Sequence, residues 1–487
     1  MDYQSENDAN AIPYMRNDVH GLYHAVRAAD KMSRELFGIA LAGKRPDIIT
    51  AGALAKRVLL EHVYGLGDPS KNVTAYQREH RTDLPEIDAW WRKRSLYRGG
   101  MTLLNAAYGG RLHRLPLYKY DVNSMYPFQI SIMPDLVGLP RRLTWDEYTT
   151  LSNSRRSRVV AIYEIYAAYG HVKDTAIPTW YDPITRGYVA NVDFSYTEHD
   201  GLPYLMFGDE FEELRNWYDF DEHMTEIRSV IVYDRVTNPK YKEWADQYYK
   251  LKADAKRAEN KVMETLVKLV LNSSYGKIAE NPIREDTHRE INPETSAVVL
   301  ISDGEHLTRS LLSVVQGALI SSMARCQLMR TIRRACRDNP RKYFVYADTD
   351  SIACLLPYDD TDAYTLGALK DETGDTPINF WKYLAPKTYM IAHVDGDNVL
   401  DLEVHTKGVP TKVVLGDLKN TDGTWKTPRE ISRRFAVGQR FQALSGMNIV
   451  GGKALIPLYK ELVNASTAFK YNDGDVVEIL EDEIEKR

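Results

Sequence analysis

Two carboxylates separated by one residue, Asp348 and Asp350, lie between two largely apolar runs, Arg341-Lys-Tyr-Phe-Val-Tyr346 and Ser351-Ile-Ala-Cys-Leu-Leu356. Runs of this length and content read as strands, which makes Ala347-Asp-Thr-Asp350 a tight turn at the tip of a hairpin with buried flanks. Two acids without partners at such a tip repel each other. Asp and Thr are common turn formers, so a plain hydrogen-bonded turn accounts for them equally well. The chemical alternative is a divalent metal site, because Mg²⁺ takes a few carboxylate oxygens together with phosphate. A second source of acid favours the metal, and Asp121 supplies one at the end of its own alternating segment, Leu117-Tyr-Lys-Tyr-Asp121. If the two strand ends meet, three acids converge. Phosphoryl transfer with two ions about 3.5 to 4 Å apart, one activating the attacking hydroxyl and one holding a triphosphate, needs such a set. Asp121 and Asp350 would bridge the ions, and Asp348 would act mainly by charge.

Other chemistry-bearing residues fall on helices. Residues 244–278 read as helical with a turn near 252–258, and Lys250, Lys252, Lys256, Arg257, Lys261 and Lys268 run along them. Lys261 and Lys268 share a face that could neutralise a triphosphate; with no phosphate to meet, the same stripe is a solvated surface. A second basic cluster, Arg325, Arg330, Arg333, Arg334, Arg337, Arg341 and Lys342, is expected to be a solvated helix face. Residues 18–66 read mostly as helix and 137–235 as small strands and loops. Residues 281–310 are loop-rich or a hairpin, 311–337 are helix, and 389–404 form a hairpin turning at Asp395-Gly-Asp397.

The chain has 487 residues, 44% hydrophobic and 27% charged, enough for roughly two to four packed subdomains. No run approaches the roughly 18 to 20 apolar residues of a membrane span, and the opening residues lack a basic, apolar leader. The expectation is a soluble, unexported protein of the cytoplasm. Cys326, Cys336 and Cys354 form neither a disulfide framework nor a zinc pattern and are expected to be reduced and packed. The net charge of -5 resides in residues 473–487, where seven acids face Lys486 and Arg487. The remainder is neutral, so a nucleic-acid surface must be built from local clusters of Lys and Arg.

Asp121-Val122-Asn-Ser124-Met125-Tyr126-Pro127 resembles motif A of the family B DNA polymerases, DxxSLYP, with Met125 in place of Leu. Tyr346-Ala-Asp-Thr-Asp-Ser351 matches motif C, YxDTDS, and Lys268-Leu-Val-Leu-Asn272-Ser273-Ser-Tyr275-Gly276 matches motif B, KxxxNSxYG. Lys387-Thr-Tyr389 is similar to the later KxY element, and Thr406-Lys407-Gly-Val409 to a Lys-Gly element of viral and organellar members. All five stand in the family's order. The resemblance implies an α+β fold, a polymerase right hand with an antiparallel β palm, a helical fingers hairpin, a small thumb and two insertions. It implies a DNA-directed DNA polymerase that transfers a nucleotide from a dNTP to a primer 3′ hydroxyl, with Asp121, Asp348 and Asp350 catalytic. Two Mg²⁺ ions, replaceable by Mn²⁺, would sit at Asp121, Val122 and Asp350. The implied nucleotide-binding set is Tyr126, as steric gate against a 2′ hydroxyl, with Lys261, Lys268, Asn272, Tyr275 and Gly276. Primer and template would meet Ser124, Ser273, Lys387, Tyr389 and Lys407. Glu264, where relatives often carry Lys, implies a triphosphate clamp that is either weaker or arranged through Lys261.

Tyr97-Arg98-Gly99-Gly100 resembles the YxGG element of the terminal-protein-primed polymerases of phages and linear plasmids, where it balances primer between exonuclease and polymerisation domains. The implied layout is an N-terminal region at 1–95, the YRGG element and first part of the palm at 96–136, and a first terminal-protein region at 137–235. Fingers follow at 236–280, a second terminal-protein region at 281–310, palm at 311–395, and thumb with acidic tail at 396–487. Tyr14 and Asp18 resemble the last exonuclease motif, YxxxD, yet no DxE pair precedes them, and Asp401-Leu-Glu403 stands downstream in the wrong order. The expectation is a strand-displacing polymerase lacking a complete exonuclease domain and intrinsic 3′–5′ proofreading. Its expected partners are primer-template DNA, dNTPs, a terminal protein and a separate exonuclease subunit, and no membrane. The rival readings are a reverse transcriptase, which usually carries adjacent acids in its YxDD turn, and a catalytically silent DNA-binding subunit, against which the complete acid set argues.

Overall fold

The computed structural model describes residues 27, 30–39, 51–65, 96–177, 180–183, 187–188, 193–278, 283–291, 298–307, 314–407, 409–449 and 452–462. Tyr14, Asp18 and the acidic segment 473–487 lie outside them.

Five strands form the central sheet, in the order Thr102–Leu104, Phe344–Asp348, Ser351–Cys354, Tyr118–Val122 and Leu369–Asp371, all antiparallel. Side chains alternate across such a sheet. Tyr120, Val122, Ile352 and Cys354 share a core with Leu328, Met329 and Ile332 of the Val314–Ala335 helix. Lys119 and Asp121, offset by one residue, therefore occupy the opposite face. The strand before the acidic turn starts later than its apolar run suggests. Pro340–Tyr343 is a short helical turn whose cap, Asn339, accepts from the Lys342 amide at 3.2 Å, and the strand begins at Phe344. Pro340 in the first helical position, where its missing N–H costs nothing, explains the difference.

A separate six-stranded sheet holds most of residues 134–237, with strands at Pro134–Thr144, Val159–Val172 and Glu226–Thr237 of 11, 14 and 12 residues. The small strands expected over 137–235 are thus accompanied by three long ones. Pro and Gly punctuation hid this continuity, because Gly138 and Pro140 lie inside the Pro134–Thr144 strand. Phe380–Ala385, Thr388–Asp395 and Asn398–Thr406 form a three-stranded sheet beside the central one, turning at 396–397. Ile283–Ile291 pairs with Val298–Leu307, and Arg440–Ile449 with Gly452–Glu461. Antiparallel sheets with segregated helices make the fold α+β.

Two helices, Pro239–Arg257 and Lys261–Ile278, form a hairpin. Asn238 and Pro239 start the first, the Asn238 side chain accepting from the Lys240 amide. The turn falls at 258–260 rather than near 252–258, because Lys256 and Arg257 complete the last helical turn and Asn260 caps the next helix through the Met263 amide at 3.1 Å. The hairpin buries Tyr241, Trp244, Val267, Val270 and Leu271 with Leu54, Val58 and Leu59 of the Ala51–Tyr64 helix.

The expected solvated face holds at Arg330, Arg334 and Arg337 but not at Arg325. Its side chain is 2% exposed and pairs with Glu210 at 2.6 Å; Arg330 and Arg333 reach Glu213 at 2.8 and 3.7 Å. The two acids lie three residues apart on the Gly208–Leu214 helix, remote in sequence, and supply the countercharge that burial requires.

Candidate active site

The register of the central sheet sets Ser351 opposite Asp121, and the Val122 amide donates to the Asp350 carbonyl at 2.8 Å. Residues 121 and 350 thereby become neighbours. Both carboxylates are half-buried. Burial first, then the charges of Asp350 and Glu372, pushes Asp121 up to about 7, against Lys370 and Lys119. Burial likewise pushes Asp350 up, with Asp348 adding to it while its own backbone amide and Lys387 oppose. Among the described residues neither Asp121 nor Asp350 has an ion pair, and the nearby lysines are committed. Lys370 reaches Glu372 at 2.9 Å and Lys119 reaches Glu403 at 2.9 Å. Two like charges held together without a counterion suit a divalent cation.

Asp348 stands apart from that pair in its partners. Lys387 Nζ donates to both of its oxygens, at 2.6 and 2.8 Å, and Thr102 Oγ1 to one at 3.3 Å. Among the described residues no set of three His, Cys, Asp or Glu side chains is grouped to hold a metal ion. The expected convergence of three acids is therefore a pair plus a neutralised neighbour. The lysine responsible lies 39 residues from Asp348 and has no signal in the local pattern.

The backbone at this site is unusual. Ser124, Thr349 and Lys387 have φ of 50°, 65° and 58°, a left-handed conformation uncommon without glycine. The Thr349 amide donates to the Met101 carbonyl at 2.7 Å. A Cβ on Gly100 would lie 2.7 Å from Thr349 Cγ2 and 3.1 Å from the Tyr126 hydroxyl, so close approach requires glycine there.

Along the Lys261–Ile278 helix, Val267, Val270, Leu271 and Ser274 are buried, while Lys261, Lys268, Asn272 and Gly276 are exposed on one face and Ser273 lies half-buried between. Tyr275 is half-buried and stacks on Tyr126, ring centroids 4.3 Å apart. Its hydroxyl shares hydrogen bonds with Tyr97 at 2.6 Å and Ser321 at 2.5 Å. Arg98 is buried, its guanidinium on Glu210 at 3.0 Å and on the Tyr204 hydroxyl, while the Arg98 and Gly99 carbonyls accept from Arg325. The Tyr389 ring is buried against Tyr383, and Lys407 is exposed at the end of its strand. Lys252, not among the expected site residues, extends to the Ser124 hydroxyl at 3.0 Å. Burial, then Lys268, lowers its pKa, while Glu264 and Asp121 oppose. Its place in a lysine stripe gave no sign of which lysine turns inward.

The profile of the family described as DNA polymerase type B, organellar and viral, matches residues 4–296. The chain belongs to that family. The chain is 26% identical over 320 residues to the DNA polymerase of Bacillus phage phi29, covering 62% of this chain and 50% of the relative. It is 28% identical over 253 residues to the DNA-directed DNA polymerase of Enterobacteria phage PRD1, covering 47% and 40%. The chain spans about half the length of the curated relatives it matches. Its fold is similar to that of phi29 DNA polymerase complexed with primer-template DNA and incoming nucleotide substrates, with a TM-score of 0.65 over 86% of this chain and 68% of that one at 20% identity. The orthorhombic crystal form of phi29 DNA polymerase gives 0.58 over 89% and 78%. The family match ends before Asp348 and Asp350; strand pairing joins them to Asp121. No helix among the described residues is long and apolar enough to cross a membrane.

Proposed function

We propose that the chain is a template-directed DNA polymerase that joins dNMP units to a primer 3′ hydroxyl, is primed by a terminal protein, displaces the strand ahead of it and works in the host cytoplasm. The observation that carries this reading is the adjacency of Asp121 and Asp350, two half-buried carboxylates with no ion pair among the described residues. Asp121, Asp350 and the Val122 carbonyl would hold Mg²⁺, which when bound activates a hydroxyl and neutralises triphosphate charge. Lys261 and Lys268 meet the triphosphate from the exposed helix face, and Lys252 adds charge near Ser124. The Tyr126 ring excludes a 2′ hydroxyl, and Tyr275 and Asn272 test the shape of the nascent pair. Ser124, Ser273, Tyr389 and Lys407 contact primer or template; Lys387, braced by Asp348, takes the primer phosphate. In this reading the central sheet is the palm, the hairpin 239–278 the fingers and the segment after 396 the thumb. The YRGG element and the sheet and hairpin at 137–235 and 281–310 support priming by a protein.

Purified chain with Mg²⁺ or Mn²⁺, dNTPs and a primed DNA template should extend the primer, and Asp350→Ala should reduce extension by at least about a thousandfold. Retained extension in that variant would remove the assignment. Supplying a terminal protein should give a dNMP attached to a Ser, Thr or Tyr hydroxyl.

A further inference from the structure

Asp401-Leu402-Glu403 carries two acids at a spacing reminiscent of an exonuclease pair but out of order for it. Both are engaged in the Asn398–Thr406 strand. Asp401 holds the ring and backbone amide of His393, each at 2.9 Å. Glu403, on the same face two residues later, accepts from Lys119 Nζ at 2.9 and 3.0 Å and from the Tyr389 hydroxyl at 3.1 Å, with His405 Nε2 at 3.3 Å.

The identity of these partners gives the contact its meaning. Lys119 precedes Asp121 by two residues and shares its face of the central sheet; its other acidic neighbour, Glu372, is 3.9 Å away. Tyr389 follows Lys387 by two residues, and its ring lies 4.9 Å from both Tyr383 and His405. One carboxylate therefore connects the strand bearing Asp121 to the strand bearing the Lys387-Thr-Tyr389 segment. We propose that Glu403 is a positioning residue for the primer end. Through Lys119 and Tyr389 it sets the spacing between the acid-bearing strand and the Lys387–Tyr389 segment, so that a recessed 3′ terminus meets both at once. The inference rests on the polymerase reading. The Glu403 side chain is 39% exposed, and such ion pairs stabilise a fold little. Backbone bridges at His113–Trp381 and Leu117–Ile378 also join the two sheets, so the fold does not depend on Glu403.

The test titrates the full chain against two labelled DNAs by fluorescence anisotropy, a primer-template with a recessed 3′ end and a blunt duplex of equal length. Wild type, Glu403→Ala and Glu403→Gln are compared, with thermal melting alongside. Glu403→Ala should weaken binding of the recessed end about tenfold and of the blunt duplex less than about twofold, with melting unchanged. Glu403→Gln, which still accepts from Tyr389 and Lys119, should regain most of the loss. Equal weakening on both DNAs, no weakening on either, or a Gln variant that behaves like Ala overturns the positioning role. Wild type that does not distinguish the recessed end overturns it as well. Binding needs no turnover, so a wild-type chain that holds the recessed end but never extends it counts against the polymerase reading alone.

Discussion

Asp121 binds a proton more readily when folded than when unfolded, since burial and Asp350 raise it to about 7. The folded state then holds more protons than the unfolded state between about pH 4 and pH 7, and stability falls as pH rises through that window. In chelator-treated buffer the loss should be roughly 1 to 2 kcal/mol after allowance for solvent screening, and Asp121→Asn should remove it. Chemical unfolding at pH 5 and pH 8 measures both, and an unchanged pH slope in the variant would refute the assignment. Tyr126 presents a different case, because its ring is already stacked on Tyr275 and its hydroxyl lies near Gly100. Tyr126→Val should raise ribonucleotide incorporation at least about tenfold relative to dNTP, since the excluded volume of the ring is what rejects the 2′ hydroxyl. Unchanged sugar selection in single-nucleotide kinetics would take the gate away from this tyrosine.

Helices and strands decide which of these side chains could be anticipated. Alternation flagged the Asp121 strand, and helical spacing put Lys261 and Lys268 on one face, because both patterns are local, while Asn272 and Gly276 came from the motif B resemblance. Arg325 could not be read that way. Its partner Glu210 is 115 residues distant, and an arginine on a basic helix looks solvated until the acid is placed beneath it. The same holds for Lys387 on Asp348 and Lys252 on Ser124, whose roles are set by packing between elements. Glu210 lies between Arg98 and Arg325; burial opposes its ionisation, but the two guanidiniums bring it down to about 2. Glu210→Gln leaves two buried cations without their anion and should cost about 3 to 5 kcal/mol. Asp234→Asn, at the exposed pair with Arg141, should cost little. Urea midpoints of the two variants provide the comparison, and equal shifts would contradict the buried network.

Taken together, the chain carries its net charge at one end. Removing residues 473–487 takes the formal charge from -5 to 0. If the neutral remainder binds DNA through local basic clusters, the truncation should speed association with primer-template at about 0.03 M salt, and the difference should vanish above about 0.3 M, where the Debye length falls near 5 Å. Stopped-flow association rates at the two salt concentrations decide the matter, and a gain that persists at high salt would point to a steric cause instead. The α+β class came from the motif resemblance, whereas the long Pro134–Thr144 strand was hidden by Gly138 and Pro140 inside it.

The Ala51–Tyr64 helix lies far upstream of the acids yet supplies Leu54, Val58 and Leu59 to the core of the 239–278 hairpin. Anyone shortening this chain would be tempted to begin near Tyr97, where the recognisable motifs start. Such a cut would strip the apolar underside of the segment that presents Lys261 and Lys268, leaving an exposed apolar flank on that hairpin. A shorter version should keep residue 30 onward, because Ile39 and Phe37 pack into the same core, Phe37 against Tyr248.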